Sequence, residues 1–273
     1  MNSGVLVFAY NNEKVNYIEQ AIYLASRISK YLNLPTSIVT DTNSKFDESH
    51  FDKVIRTDPV KYTLKTYNNG TSKNHSLSFK NDKRVYAYDL SPYDNTLLMD
   101  TDYIIADSVL SNCFNSCYDF MIYKDAVDLA GHRDYSEFDK ISETGIDFYW
   151  ATCVYFTRTE KNKKFFSLLQ HIQENYQHYR QVYQIQTPVY RNDHAFSIAI
   201  HIMNGFEKNN FAKKMPGTMF YTTDRDIIYS IKDDEFKFLL EKEKVLHEYT
   251  PATISGNSVH VMNKFSLAEV ING

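Results

Sequence analysis

Two aspartates one residue apart, Asp100 and Asp102 at the end of Thr96-Leu97-Leu98-Met99, are the residues of this chain best suited to chemistry. In an extended segment residues i and i+2 face the same side. Both carboxylates can therefore address one cation, or one a cation and the other a sugar hydroxyl. Hard divalent ions such as Mg²⁺ and Mn²⁺ take carboxylate oxygens and commonly share them with substrate phosphates. The chain carries its own control: Asp224-Arg225-Asp226 repeats the spacing after the apolar stretch Met219–Thr223, so at least one of the two is incidental. The first is preferred because it closes a strong apolar run inside an alternating α/β pattern. Asp193, in Arg191-Asn192-Asp193-His194, could serve as a general base or simply cap a helix. The pairs His194/His201 and His171/His178 are seven residues apart, too far for a helical metal pair, and read as packing or surface residues. Trp150 either stacks on a ligand or packs in the core.

These residues need elements to hold them. Gly4–Tyr10 is too continuously apolar for a one-sided strand and reads as a central buried one. From Glu13 to Tyr31 the apolar positions Val15, Ile18, Ala21, Ile22, Ala25 and Ile28 recur at helical spacing, and Asn33 and Pro35 end the helix. Thr36–Thr40 is the next strand, with Asp41 at its exit. Strand, helix, strand implies a parallel sheet. Val54–Arg56 adds a short strand, Tyr67–Ser78 reads as a mobile loop, and Phe79–Leu90 reads as a helix. Further strands are expected at Thr96–Met99 and Phe148–Phe156, helices at Glu160–Tyr179 and Asp193–Met203, and a late strand or loop at Thr253–Met262. Open α/β sheets bind ligands beyond the carboxyl ends of their strands. Tyr10-Asn11, Asp41 and Asp100-Thr101-Asp102 all fall there.

Composition narrows the class. With 273 residues, 43% hydrophobic and 23% charged, the chain is globular, and a net charge of −4 excludes a polybasic protein. It holds 8 glycines and none of the Gly-rich dinucleotide, P-loop or nucleophile-elbow signatures. Cys113, Cys117 and Cys153 form no zinc pattern and read as free thiols of a reducing compartment. No signal peptide or apolar run of ~20 residues is present, so a soluble, cytoplasmic protein without membrane contact is expected. One domain is expected across 1–273, since no composition shift or repeat divides it.

The segment Arg84-x₁₅-Asp100-Thr101-Asp102, with TLLM before it, resembles the nucleotide-sugar-binding half of A-type glycosyltransferases, as do the opening GVLVFAYNN and Asp41. More narrowly, GVLVFAYNN, LNLPTSIVTD and RNDHAFSIAIHIMNG resemble glycosyltransferase-like proteins of tailed phages. The resemblance spans most of residues 1–205. It implies a single-domain A-type fold with a Rossmann-like, mostly parallel sheet flanked by helices, 1–105 forming the donor-nucleotide half and 106–273 the acceptor half and C-terminal segment. It also implies roles. Ala9, Tyr10 and Asp41 would hold the base and ribose of a nucleotide-diphosphate sugar, a UDP-sugar being favoured, and Arg84 would contact the donor. Asp100 would meet ribose or metal, and Asp102 the Mn²⁺ or Mg²⁺ that bridges the phosphates. The family's C-terminal metal-binding histidine and diphosphate-binding lysine would be His260 and Lys264. His260-Val-Met-Asn-Lys264 departs from the H-x-x-G-x-x-K-P-W pattern of retaining families in spacing, and lacks its Gly, Pro and Trp. An ordinary strand-end histidine is the other reading.

The expected activity is metal-dependent sugar transfer to an acceptor hydroxyl, with Asp193 as the candidate base. The phage likeness points to a 5-hydroxymethyl pyrimidine in DNA as acceptor and to the host cytoplasm as location. The tyrosines and the basic segments Lys161–Lys164 and Lys208–Lys214 are compatible with DNA contact, although the acidic balance opposes it. A glycan or small molecule is the alternative acceptor. A nucleotidyltransferase would need a Gly-rich basic turn after the first strand, where Tyr10-Asn11-Asn12-Glu13 stands. A binding module that keeps the fold without catalysis is the third reading.

Overall fold

The structure is a computed structural model and describes residues 2–70, 73–80, 82–131, 133, 138–142, 145–208, 210–242 and 248–272. The chain opens with strand β1 (Ser3–Phe8), whose Val5, Leu6 and Val7 are wholly buried because the sheet is covered on both faces. Helix α1 (Tyr17–Leu32) starts four residues later than its apolar period suggests. Asn12 Oδ1 accepts from the amides of Lys14 and Val15, and Asn11 Oδ1 from that of Ile18, so side chains satisfy these donors in a turn. Asn16 caps α1 through the Glu19 amide, and Asn33 ends it in the left-handed region at φ 53°. Strands β2 (Thr36–Thr40) and β3 (Val54–Arg56) follow.

Tyr67–Ser78 is not a loop. It forms most of an antiparallel hairpin, β4 (Thr63–Asn68) with β5 (Asn74–Phe79). The Asn/Gly/Ser-rich composition belongs to its turn, where Gly70 adopts φ 76°, while Tyr67 and Leu77 supply the buried face. Phe79–Leu90 is not one helix either. Phe79 pairs with Thr63 in the hairpin, so helical structure begins only with a 3₁₀ turn at Asp82–Tyr86 and the short α2 (Ala87–Leu90).

The next strand, β6 (Asn95–Met99), is buried from Thr96 onward, and β7 (Tyr103–Ile104) follows its exit. Then come β8 (Phe120–Tyr123), β9 (Ala126–Asp128), the small pair β10 (Lys140–Ile141) and β11 (Ile146–Asp147), and β12 (Trp150–Thr157). Phe148 precedes β12 and bonds Asp139 instead of a sheet neighbour. The helix expected over Glu160–Tyr179 divides into α3 (Glu160–Glu174) and α4 (Tyr176–Val182). At the break, the backbone N–H and side-chain amide of Asn175 both donate to the His171 carbonyl. Helix α5 (Asn192–Met203) is capped at Arg191 without a side-chain bond.

After α5 come β13 (Lys213–Lys214), β14 (Met219–Thr222), β15 (Ile227–Lys232) and β16 (Glu235–Glu241). The late segment Thr253–Met262 takes in the end of β17 (Tyr249–Ser255) and all of β18 (Val259–Val261), parted by a turn with Gly256 at φ 64°. Helix α6 (Lys264–Asn272), absent from the periodicity reading, closes the chain. No helix among the described residues is long and apolar enough to cross a membrane.

The central sheet has seven strands in the order β13-β8-β12-β6-β1-β2-β3. All its pairings are parallel except those of β12 with β6 and with β8, so the α/β, mostly parallel expectation holds. A second sheet, β7-β18-β14-β9, stands beyond the exit of β6, and β15-β16-β17 form an antiparallel third. The main core covers the central sheet, and a smaller one lies under β15 and β16 around Phe236, Phe238 and Leu267.

Packing at the start of β1 is tight enough to test. A Cβ on Gly4 would lie 2.4 Å from Tyr93 Cζ. The ring cannot swing away freely, because its hydroxyl is held by Ser37 Oγ at 2.7 Å and Asp52 Oδ2 at 3.1 Å. Gly4→Ala is therefore expected to lower the unfolding free energy by about 2 kcal/mol through overpacking. Urea denaturation checks it, and an unchanged midpoint would show that the ring yields.

Candidate functional site

The backbone brings the candidate residues together by strand pairing. Where β6 ends, the Asp100 amide donates to Thr152 of β12 at 2.8 Å, and the Asp102 carbonyl accepts from Val261 of β18 at 2.9 Å. Because β18 runs antiparallel to β7, His260 stands opposite Tyr103, one residue beyond Asp102. Asp100, Asp102 and His260 each offer a ligand atom within 4.8 Å of the others, a group that could hold a metal ion. Two carboxylates and one imidazole form a donor set that suits Mn²⁺ or Mg²⁺.

Two organic cations brace the carboxylates. Arg84 Nη1 lies 2.8 Å from Asp100 Oδ1, and its Nη2 donates to the Ala151 carbonyl. Lys264 Nζ lies 2.5 Å from Asp102 Oδ2, and His260 Nε2 lies 3.3 Å from the same oxygen. Among the described residues no hydrogen bond reaches Asp100 Oδ2 or Asp102 Oδ1, which leaves an oxygen of each for a further ligand. Burial alone would raise the Asp102 carboxyl, but the Lys264 ammonium, together with the hydrogen bond from His260, outweighs it and holds it well below the usual range. Burial opposes the charge on Lys264, and the Asp102 carboxylate reverses that, so the ammonium stays charged.

The group faces a cleft of about 630 Å³ at the carboxyl ends of β1 and β6. Tyr10, Arg84, Asp100, Asp102, Asp193, His260 and Lys264 all line it. So do Lys65, Tyr67 and Phe79 of the hairpin, which the sequence reading missed. Lys65 Nζ sits 5.1 Å from the Phe79 ring centroid and 5.5 Å from that of Tyr67. The missed signal was the alternation around Tyr67 and Leu77, hidden by the polar residues between them.

Other expected residues are placed as follows. Tyr10 is buried, and its hydroxyl has no partner among the described residues; burial pushes the phenol up. Ala9 is buried beside it, bonded through N–H to Val39 and through C=O to Thr40 Oγ1. Asp41 does not line the cleft, and its carboxylate accepts from the Asn43 and Ser44 amides and the Ser44 hydroxyl. Asp193 is not a helix cap. Its Oδ1 accepts from the Ala151 amide at 2.9 Å, across the cleft wall on β12, and its Oδ2 lies 3.3 Å from Arg191 Nη2. Burial would raise this carboxyl; Arg191 and the Ala151 amide together pull it below the ordinary range and keep it ionised.

Trp150 packs, at 2% exposure, against Phe138, Tyr221 and His260, while one edge meets the cleft. In Asp224-Arg225-Asp226 the buried Asp226 pairs with Arg133 at 2.8 Å, and Asp224 accepts from the Asn68 amide of the hairpin. In that second D-x-D only Asp226 is committed to a buried ion pair; Asp224 and Arg225 line the cleft. Cys113, Cys117 and Cys153 are free. None of Lys161, Lys163, Lys164, Lys208, Lys213 or Lys214 lines the cleft; Lys161 covers the Phe211 ring and Lys213 the Tyr118 ring.

No protein-family model and no curated protein matches the chain. Among solved structures it is similar to the galactosyltransferase LgtC in complex with donor and acceptor sugar analogues, at 12% identity and TM-score 0.46 over 72% of this chain and 70% of that one. An active-site mutant of LgtC gives 12% identity and TM-score 0.47 over 77% and 72%. The glycosyltransferase GlyE of Streptococcus pneumoniae TIGR4 gives 11% and 0.41 over 79% of this chain but only 45% of GlyE.

Next to Asp193, His194 is buried with Nδ1 3.2 Å from the Tyr176 hydroxyl. Burial first, then the Arg191 charge, pulls its pKa down to about 4, with Asp193 opposing. The unfolded imidazole titrates near 6.5, so it takes up a proton before the folded one, and stability falls as pH drops through that window. Between pH 7 and pH 5 the loss from this residue is about 2 kcal/mol, at ~1.36 kcal/mol per unit. In His194→Gln that loss should vanish, as read from urea unfolding at both pH values; an identical slope in the two proteins would refute the assignment.

Proposed function

We propose that the protein is a metal-dependent glycosyltransferase that moves a sugar from a nucleotide-diphosphate donor to an acceptor hydroxyl. The observation that carries this reading is the Asp100, Asp102 and His260 group, flanked by Arg84 and Lys264 and open to a cleft of about 630 Å³. That volume lies within the range of small-molecule sites.

Each residue has work to do in such a reaction. Asp100, Asp102 and His260 would hold Mn²⁺ or Mg²⁺, which when bound supplies charge to the diphosphate leaving group. Lys264 adds a second positive charge on the same side. Arg84 positions Asp100 and presents a buried Nε with no partner among the described residues. Tyr10, at the exit of β1, would meet the base or ribose with its unpartnered hydroxyl. Asp41 is committed to its turn and both backbone groups of Ala9 to β2, and neither residue lines the cleft, so of the three Tyr10 is left to meet the nucleotide. Asp193 would receive the acceptor's proton. Its depressed pKa guarantees the charged form and weakens it as a base, so positioning must supply much of the effect. The lysine segments compatible with DNA lie outside the cleft lining, and the reading adopted for the acceptor is a hydroxyl of a glycan or small molecule.

A melting screen of UDP- and GDP-sugars with and without Mn²⁺ tests this first, since a ligand of the folded state raises the melting temperature by mass action. A metal-dependent rise with one sugar nucleotide is expected. Stabilisation by nucleoside triphosphates alone would favour a nucleotidyltransferase, and no response to any donor would defeat the proposal. Asp100→Asn should abolish the metal-dependent rise. Asp102 is the poorer probe, because removing it leaves the Lys264 ammonium buried and unpaired. Asp193→Asn keeps an acceptor for the Ala151 amide and should slow turnover ~10²–10⁴-fold with little change in melting. Near-normal turnover would remove Asp193 from the chemistry.

A further inference from the structure

Each carboxylate of the Asp100 and Asp102 pair already has an organic cation against it. The guanidinium of Arg84 is a fixture, bonded to Asp100 and to the Ala151 carbonyl. Lys264 is held differently. Its ammonium has Asp102 Oδ2 at 2.5 Å and the Met262 carbonyl at 3.3 Å, on a flexible stem that lines the same cleft. His260 Nε2 also points at Asp102 Oδ2, at 3.3 Å. Two positive and two negative side chains leave the candidate ligands with no net charge to attract a divalent ion. Affinity for hard cations depends on the ligand charge count, so a site compensated in this way should be weak.

We infer that Lys264 is a built-in counter-ion that competes with the metal for Asp102 and is drawn off by the diphosphate of the donor, so that metal and nucleotide bind with strong positive coupling. This rests on the metal-dependent reading above. A diphosphate offers the ammonium a richer set of anionic oxygens than one carboxylate does. Once Lys264 turns to it, the Asp102 carboxylate is freed from its counter-ion and the metal site is made. By linkage, the factor by which the nucleotide tightens the metal equals the factor by which the metal tightens the nucleotide. The free protein is thereby kept from holding a metal without its substrate.

The test is a Mn²⁺ titration read by the paramagnetic resonance of the free aquo ion, with and without UDP, on the unmodified protein, Lys264→Met and Lys264→Arg. The unmodified protein should bind Mn²⁺ weakly alone and at least about tenfold more tightly with UDP. Lys264→Met should bind Mn²⁺ alone about tenfold more tightly than the unmodified protein, with the gain from UDP reduced accordingly. Lys264→Arg, which keeps the charge, should stay weak. As a second readout, Mn²⁺ alone should raise the melting temperature of Lys264→Met more than that of the unmodified protein. Equal Mn²⁺ affinity in the two proteins overturns the counter-ion role while leaving the metal site standing. Should Lys264→Met fail to fold, tight binding of Mn²⁺ alone to the unmodified protein overturns it equally. If UDP binds and Mn²⁺ binds in no combination, Lys264 replaces a metal instead of competing with one, and the metal-dependent reading falls with this inference.

Discussion

A buried carboxylate must be compensated, and Asp102 is nearly inaccessible at 3% exposure. Much of the surrounding architecture follows from meeting that demand. The compensating ammonium comes from Lys264, 162 residues away in sequence, at the first position of α6. To bring it there, β18 pairs with β7, the Val261 amide bonds the Asp102 carbonyl, and Gln20 of α1 donates to the Lys264 carbonyl. The C-terminal segment is therefore part of the site as well as its support. Removing either charge would leave the other stranded in a low-dielectric interior, which is far costlier than losing a surface pair.

The cleft owes its other wall to the β4–β5 hairpin, which is anchored along its length. Ser78 donates through both backbone and hydroxyl to Glu13, and Lys14 Nζ lies 3.0 Å from His75 Nδ1. Beneath, the Tyr67 hydroxyl meets that of Tyr17, and the Phe265 ring packs on His75 at 5.1 Å. At its tip, the amide of Asn68 donates to Asp224 at 3.2 Å. These contacts join the N-terminal turn, α1, α6 and the second D-x-D to one wall. The aromatic richness of the chain is spent mainly in this way, on rings that meet one another inside, as around Trp150, Phe138 and Phe148.

Near the Asp100, Asp102 and His260 group, the start of α5 supplies a third carboxylate, Asp193. Asp193 reaches across to the Ala151 amide, and Arg84 donates to the carbonyl of the same residue. One residue of β12 thus ties the helix that carries the candidate base to the turn that carries Arg84. Both side chains are anchored on the backbone of that one strand residue, which suits a site whose chemistry depends on positioning.

How much of this was legible in the residues follows from the range of each interaction. The βαβ opening, the buried β6 and the D-x-D at its exit are read from local signals, because an element buried on a known face must repeat its apolar residues at its own period. The amino-acid sequence by itself therefore determined the α/β class, the parallel pairing of the first strands and the placement of Asp100 and Asp102 at a strand's carboxyl end. The hairpin, the divided α3 and α4, the release of Asp193 from a capping role and the union of His260 and Lys264 with Asp102 were decided only in the tertiary structure. Each of those depends on a partner far along the chain: Thr63 against Phe79 set the start of helical structure, Ala151 claimed Asp193, and β18 found β7. A side chain's local options are fixed by its own chemistry, whereas the option taken is set by which distant group the packed sheets present to it.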